Sequence, residues 1–362
     1  VRRLLVSEYF ILYLTLTFFV IAAILFPTLR LPLNIANQLQ NMWPLLAVAI
    51  GQTFVLIIGG IDLSQGAVMG ITSVTGAILM ATIMDAPTYD KSPLWGTFMT
   101  PDGGILGQHP NGWLVAVIFM LLLGAGIGFL NGYAITRFNI APFMVTLVSL
   151  TFFAAFALWL TQSRNVANLP QPFLDLGGGD IISVFLGPKL EPQIPRREVL
   201  PFITYPFVIS IGLAVVASLI LNRTAFGRQM FSIGTNRRAS AVSGVPSRRV
   251  VIMVYMFSGF CAAIASILYS ARLEIGQPSL GSGNILLDII GAVVIGGTSL
   301  FGGKGSIKGT VFGVAFFVLL LNILNAARLS PFIIDAVKGG FILIAALLDI
   351  TRTRLLSREG RA

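Results

Sequence analysis

Residues 250–271 read VVIMVYMFSGFCAAIASILYSA, 22 residues without a charge, bracketed by Arg248 and Arg249 on one side and Arg272 on the other. At about 1.5 Å of rise per residue, a helix of that length crosses a hydrocarbon layer of roughly 30 Å. A strand buried in a soluble sheet is much shorter, so the stretch reads as a membrane helix. Tyr9 to Leu29 and Leu63 to Met84, with 21 and 22 residues, read the same way. The whole chain agrees: 56% of its 362 residues are hydrophobic and 10% are charged, against about 25% charged in soluble domains. The bilayer is the solvent this chain is built for.

The fold class expected is an all-α integral membrane bundle of about ten helices, at roughly 9–29, 42–59, 64–84, 113–131, 142–162, 202–221, 250–271, 285–300, 309–327 and 332–350. Arg2 and Arg3 before the first run resemble the start of a secretory signal, but the run is about twice a signal core and reads as a retained helix. With ten crossings, one side holds Arg2, Arg3, Arg137, Arg223, Arg228, Arg237, Arg238, Arg248, Arg249, Lys304, Lys308, Arg352, Arg354, Arg358 and Arg361, fifteen cations in all. The other side holds eight: Arg30, Lys91, Arg164, Lys189, Arg196, Arg197, Arg272 and Arg328. Positive charge accumulates in cytoplasmic loops, so both termini are expected in the cytoplasm. Segments 85–111 and 163–201 are then long outer (periplasmic) loops, read either as docking surfaces or as plain connections. A net charge of +10 spread over short loops does not make a nucleic-acid surface.

Chemistry is scarce. Cys261 and His109 are the only residues of their kinds, which excludes an intrachain disulfide, a cysteine metal cluster and most zinc or Ser-His catalysis. Gly296 to Ser306 resembles a phosphate loop, but Thr298 stands where the first glycine is required and Gly305 where the hydroxyl residue belongs. No nucleotide site is encoded. Gly124, Gly128 and Gly132 form a small-xxx-small ladder suited to close helix packing. Gly59-Gly60-Ile61-Asp62-Leu63-Ser64-Gln65-Gly66 and Gly296-Gly297-Thr298-Ser299-Leu300-Phe301-Gly302-Gly303 echo each other after aliphatic runs. Both read as cytoplasmic turns, either tight packing or bends beside a transport path. Gln52, Thr53, Asn131, Asn322 and Asn325 are the polar residues expected either to line that path or to bond between helices. Asp62, Asp288, Asp335 and Lys338 lie near predicted helix ends, where snorkelling would reach the interface, and Asp335 with Lys338 has i,i+3 spacing.

The stretch 222–249 is too long for a turn and holds six arginines, three glycines and a short helix-compatible run, Arg237 to Ser243. From charge alone it is either an ordered cytoplasmic element or a loop that sets orientation.

Several runs resemble the ribose-type ABC sugar permeases: Gly59-Gly60-Ile61-Asp62-Leu63-Ser64, Phe226-Gly227-Arg228 leading to Ile233-Gly234-Thr235-Asn236 and Ser243-Gly244-Val245, and Asp288 to Gly303. Asn131-Gly132, Ala141-Pro142-Phe143 with Thr146-Leu147, and Lys338-Gly339 extend the resemblance along nearly the whole chain. Segments 85–111 and 171–201 look longer than usual for that family. The resemblance implies a multi-pass protein of the bacterial inner membrane that imports a monosaccharide and hydrolyses nothing itself. It implies a cytoplasmic ABC ATPase carrying the ATP and Mg, a periplasmic sugar-binding protein, and a second permease copy in a homodimer or heterodimer. It also implies that 222–249 couples to the ATPase, through Gly227, Arg228, Gly234, Asn236, Ser243 and Gly244. Asn236 is expected to cap a short helix and Arg228 to contact acidic or backbone groups of the partner. Without that resemblance, the residues leave an ion-coupled secondary transporter as the alternative.

Overall fold

The computed structural model describes residues 10–185 and 199–359. Arg2, Arg3, the predicted helix start at Tyr9, the part of segment 163–201 with Lys189, Glu191, Arg196, Arg197 and Glu198, and Arg361 lie outside the described residues.

The chain runs through α1 (Phe10–Leu25), a single 3-10 turn (Pro27–Arg30), α2 (Pro32–Ile57) and α3 (Gln65–Met80). Segment 85–111 holds α4 (Ala86–Tyr89) and a small antiparallel pair, β1 (Met99–Thr100) with β2 (Gly103–Gly104). After α5 (Gly112–Arg137) and α6 (Pro142–Thr161) come α7 (Gln171–Gly178) and the antiparallel hairpin of β3 (Asp180–Phe185) and β4 (Val199–Thr204). Then follow α8 (Tyr205–Arg223), α9 (Ala225–Thr235), α10 (Arg237–Val242), α11 (Ser247–Leu273), α12 (Ile285–Ile295), α13 (Ile307–Ala326) and α14 (Pro331–Glu359).

Among the described residues, six helices are long and apolar enough to cross a membrane: α2, α5, α6, α8, α11 and α13. The stretch expected as a helix from 42 begins ten residues earlier, at Pro32. Residues 34–41 carry Asn34, Asn37, Gln38, Gln40 and Asn41, so hydropathy reads them as loop although Pro32 at the first helical position favours a helix start. In contrast, α3 has 16 residues and α12 has 11. At 1.5 Å per residue they span about 24 and about 17 Å, less than a hydrocarbon core.

Both short helices adjoin irregular chain that is folded into the protein. Between α2 and α3, Gly60, Asp62 and Ser64 are buried. Between α11 and α12, so are Gly276, Pro278, Leu280 and Gly281. Gly66 and Gly70 of α3 leave room for this second segment: a Cβ at either would collide with the carbonyl of Gly281 or Pro278. Irregular backbone at such a depth survives only where protein or a cavity surrounds it.

α11 packs along α5 and α2. The glycine ladder makes that approach possible: a Cβ at Gly124, Gly128 or Gly132 would meet backbone of Gly259, Tyr255 or Ile252. The outward faces of α5 and α6 are apolar and exposed, with Leu122, Phe129, Val148, Phe152 and Trp159 among them. Segment 85–111 is tied down: the Ser92 hydroxyl donates to the Leu160 carbonyl (2.6 Å), Gln108 Nε2 to that of Thr82 (2.9 Å) and the Tyr89 hydroxyl to that of Asn165 (2.5 Å). Burial and the neighbouring Asp85 raise the Tyr89 pKa above its ordinary value, which keeps that hydroxyl a donor.

Candidate functional site

Three separated stretches meet at one end of the bundle. The Gly303 N–H donates to the carbonyl of Ile57, the last residue of α2 (2.9 Å). Gly234, near the end of α9, packs against the same point: a Cβ there would overlap the Ile57 carbonyl oxygen and crowd the Gly303 nitrogen. A Cβ at Gly302 would press on Gly234 and Gly59. Gly59, Gly302 and Gly303 all have positive φ, at +75°, +85° and +73°, a conformation that side-chain-bearing residues adopt with strain. The two echoing glycine runs therefore meet in space, with α9 wedged into their contact. Gly60 sits against the Tyr255 hydroxyl and Gly296 against the Gly309 carbonyl, while Gly297 (φ +88°) turns in open space.

The stretch 222–249 is ordered as two helices, α9 and α10. The Thr224 hydroxyl accepts from the Gly227 N–H (3.2 Å), and a Cβ at Gly227 would strike the Leu221 carbonyl, so α9 turns tightly off α8. Asn236 Oδ1 accepts from the Ala239 N–H (3.0 Å) and caps α10. Ser243 ends α10 and Gly244 (φ +81°) reverses the chain. Arg228 lies in α9 and is exposed, as are Arg237, Arg238, Arg248 and Arg249.

The rest of the first glycine run does something the sequence reading did not foresee. Asp62 and Ser64 are not in a surface turn: the chain re-enters the bundle, and both are 1% exposed. Asp62 Oδ1 accepts from the Ser64 N–H (3.0 Å) and hydroxyl (2.6 Å), and Oδ2 accepts from the Ser258 hydroxyl (2.6 Å). Gln65 Nε2 donates to the Ser258 hydroxyl (2.9 Å), Asn131 Nδ2 to the Ser64 hydroxyl (2.9 Å), and the Ser149 hydroxyl to Asn131 Oδ1. Every donor in this chain points toward one carboxylate, which links α3, α5, α6 and α11. Asp62 does not snorkel, because these bonds replace water around its charge.

Lys338 departs from the snorkelling expectation as well. It is 8% exposed, with Nζ 2.9 Å from Asp288 Oδ1 and 3.5 Å from Asp335 Oδ1. The i,i+3 contact with Asp335 forms, but the shorter partner is Asp288, in the first turn of α12 and fifty positions away.

Asp288 borders a cavity of about 370 Å³ between helices. Gln38, Asn41 and Leu45 of α2, Tyr269 of α11, Ile285 and Asp288 of α12, and Val318, Leu321, Asn322 and Asn325 of α13 line it. Asn34 Oδ1, one helical turn from Gln38, accepts from Gln38 Nε2 and Asn322 Nδ2, both at 2.8 Å. Of the five candidate path residues, the cavity gathers Asn322 and Asn325. Thr53 instead bonds Thr310 across to α13 (2.7 Å) and the Ala49 carbonyl (2.8 Å), and Asn131 belongs to the Asp62 network. Gln52 is fully buried, and neither its Nε2 nor its Oε1 has a hydrogen-bond partner among the described residues. Hydropathy missed Gln38 and Asn41, whose spacing (i, i+3) places them on one helix face. Among the described residues, no group of three or more His, Cys, Asp or Glu side chains is arranged to hold a metal ion.

Residues 34–346 match the family described as the branched-chain amino acid transport system permease component. The chain belongs to that permease family. The ribose import permease of Bacillus subtilis (strain 168) is 34% identical to this permease over 330 residues, covering 91% of this chain and 88% of the relative. The xylose transport system permease of Haemophilus influenzae (strain ATCC 51907 / DSM 11121 / KW20 / Rd) is 28% identical over 363 residues, with 89% and 90% covered. The L-arabinose ABC transporter permease of Azospirillum brasilense is 27% identical over 348 residues, with 96% and 87% covered. No solved structure matches the permease.

Proposed function

We propose that the chain is the membrane-spanning permease subunit of an ABC importer that carries a monosaccharide across the bacterial inner membrane. The similarity to sugar import permeases over about nine-tenths of the chain carries this reading. In the proposal, ten helices cross the membrane, both termini are cytoplasmic, and the shorter α3 and α12 are completed by buried irregular chain. A partner ATPase holds ATP and Mg, a periplasmic binding protein delivers the sugar, and two permease copies form the pathway.

The cytoplasmic junction supports the coupling role of 222–249. A shift of α9 is transmitted directly, because Gly234 leaves no side chain between α9 and the backbone where Ile57 and Gly303 meet. Packed backbone of this kind moves as a unit, so the ends of α2 and of the 296–306 turn follow α9. Gly227, Asn236, Ser243 and Gly244 shape the two coupling helices, while Arg228 and the neighbouring arginines face the ATPase.

The test is radiolabelled sugar uptake into vesicles holding the permease, its ATPase and its binding protein. Wild type is expected to transport only with ATP, and Arg228→Glu, on the exposed face of α9, to remain folded while losing transport and ATPase association. Uptake that continues without the ATPase and is abolished by an uncoupler would replace this reading with an ion-coupled transporter.

A further inference from the structure

We propose that the cavity between α2, α11, α12 and α13 is a binding site for a neutral polyhydroxylated ligand, with Asp288 as the acceptor of its hydroxyl groups. The proposal rests on the permease reading and gives it a place within each subunit where the sugar pauses.

The cavity's roughly 370 Å³ falls in the size range of small-molecule sites, about 300–1,000 Å³. Gln38 and Asn322 are bonded to Asn34 and Asp288 to Lys338, but the other three polar lining residues are uncommitted. Neither the Asn41 and Asn325 amides nor the Tyr269 hydroxyl has a hydrogen-bond partner among the described residues of the chain. Elsewhere in the bundle, Asn131, Ser64, Ser258 and Thr53 are fully engaged with one another or with backbone. A primary amide supplies both donors and acceptors, which is what a sugar hydroxyl, itself donor and acceptor, requires.

The charge pattern selects against ions. Asp288 already has Lys338 at 2.9 Å. An anionic ligand would meet the carboxylate, and a cation would compete with the ammonium. A neutral hydroxyl disturbs neither, because the Lys338 bonds leave part of the carboxylate's acceptor capacity open. Leu45, Val318 and the Tyr269 ring provide an apolar wall for the C–H face of a sugar. In the topology proposed above, the lining residues sit in the outer halves of their helices, so the site lies in the half of the bundle nearer the side from which sugar is delivered.

The experiment has two arms. In the reconstituted importer, Asp288→Asn is expected to lower D-ribose, D-xylose or L-arabinose uptake at least tenfold while ATP hydrolysis by the complex continues. In the second arm, Cys261→Ser removes the native thiol and Asn325→Cys places a new one at the cavity. A membrane-impermeant thiol reagent added outside should modify it, and whichever of these sugars is transported should slow that modification several-fold. The second arm reads the cavity without requiring ATP, so it is independent of the importer reading. ATP-independent uptake with sugar protection intact would overturn the importer and leave the site standing. Wild-type uptake by Asp288→Asn, or modification of Asn325→Cys that no sugar slows, would overturn the site.

Discussion

The glycine junction and the helix-lined cavity differ in how they use polar groups. At the junction, Gly59, Gly234, Gly302 and Gly303 bring backbone against backbone, and the Gly303 N–H is spent on the Ile57 carbonyl. Just inside it, Asp62 accepts from the Ser64 and Ser258 hydroxyls, and Asn131 donates in turn to Ser64. In the cavity, the Asn41 and Asn325 amides have no partner among the described residues. A region that transmits displacement must have its bonds closed, because loose groups absorb motion. One that holds and releases a ligand must keep them open, because each bond made internally is withheld from the ligand.

Substitutions that remove a closed bond should damage the fold, and those in the open region should spare it. The largest effect is expected for Asp62→Asn, which presents an amide donor where hydroxyl donors converge. Hydrogen bonds to a charged group are worth about 1.5–3 kcal/mol each, so thermal unfolding of the detergent-solubilised chain should fall by more than any cavity variant causes. An unchanged melting temperature would remove Asp62 from its structural role.

A paired comparison of two asparagines sharpens the contrast. Asn131→Leu leaves the Ser149 hydroxyl without its acceptor and should destabilise by about 1–3 kcal/mol. Asn325→Leu breaks no side-chain bond among the described residues and should change stability by less than about 0.5 kcal/mol. Equal effects would erase the distinction between the regions. The smallest change expected is a gain. Gln52 is buried with its amide unpartnered, so Gln52→Leu should raise stability by about 1 kcal/mol. If the same variant loses transport, the amide finds its partner in another state of the transport cycle.

Helix positions were legible because apolar runs longer than a hydrocarbon core have few soluble alternatives. The glycine ladder was legible for a similar reason: spacing of four on a helix fixes the face, and small residues there admit a neighbour. The start of α2 was hidden by its amides, since a helix that lines a cavity reads as loop to hydropathy. The half-length of α3 and α12 was hidden too. The 22 uncharged residues from Leu63 to Met84 look continuous, yet Leu63 and Ser64 precede the helix and α3 stops at Met80.

Composition and local spacing sufficed to place this chain in a bilayer, to locate most of its long helices and to mark on one of them a face for close packing. Tertiary structure decided which polar residues work together. Asp62 and Ser258 are 196 positions apart, and Asp288 and Lys338 are 50. Local pattern cannot foresee such a meeting, and so could not separate Asn131, locked in a network, from Asn325, left open to a cavity. The side chains are identical; the difference is the partner that folding brings within reach.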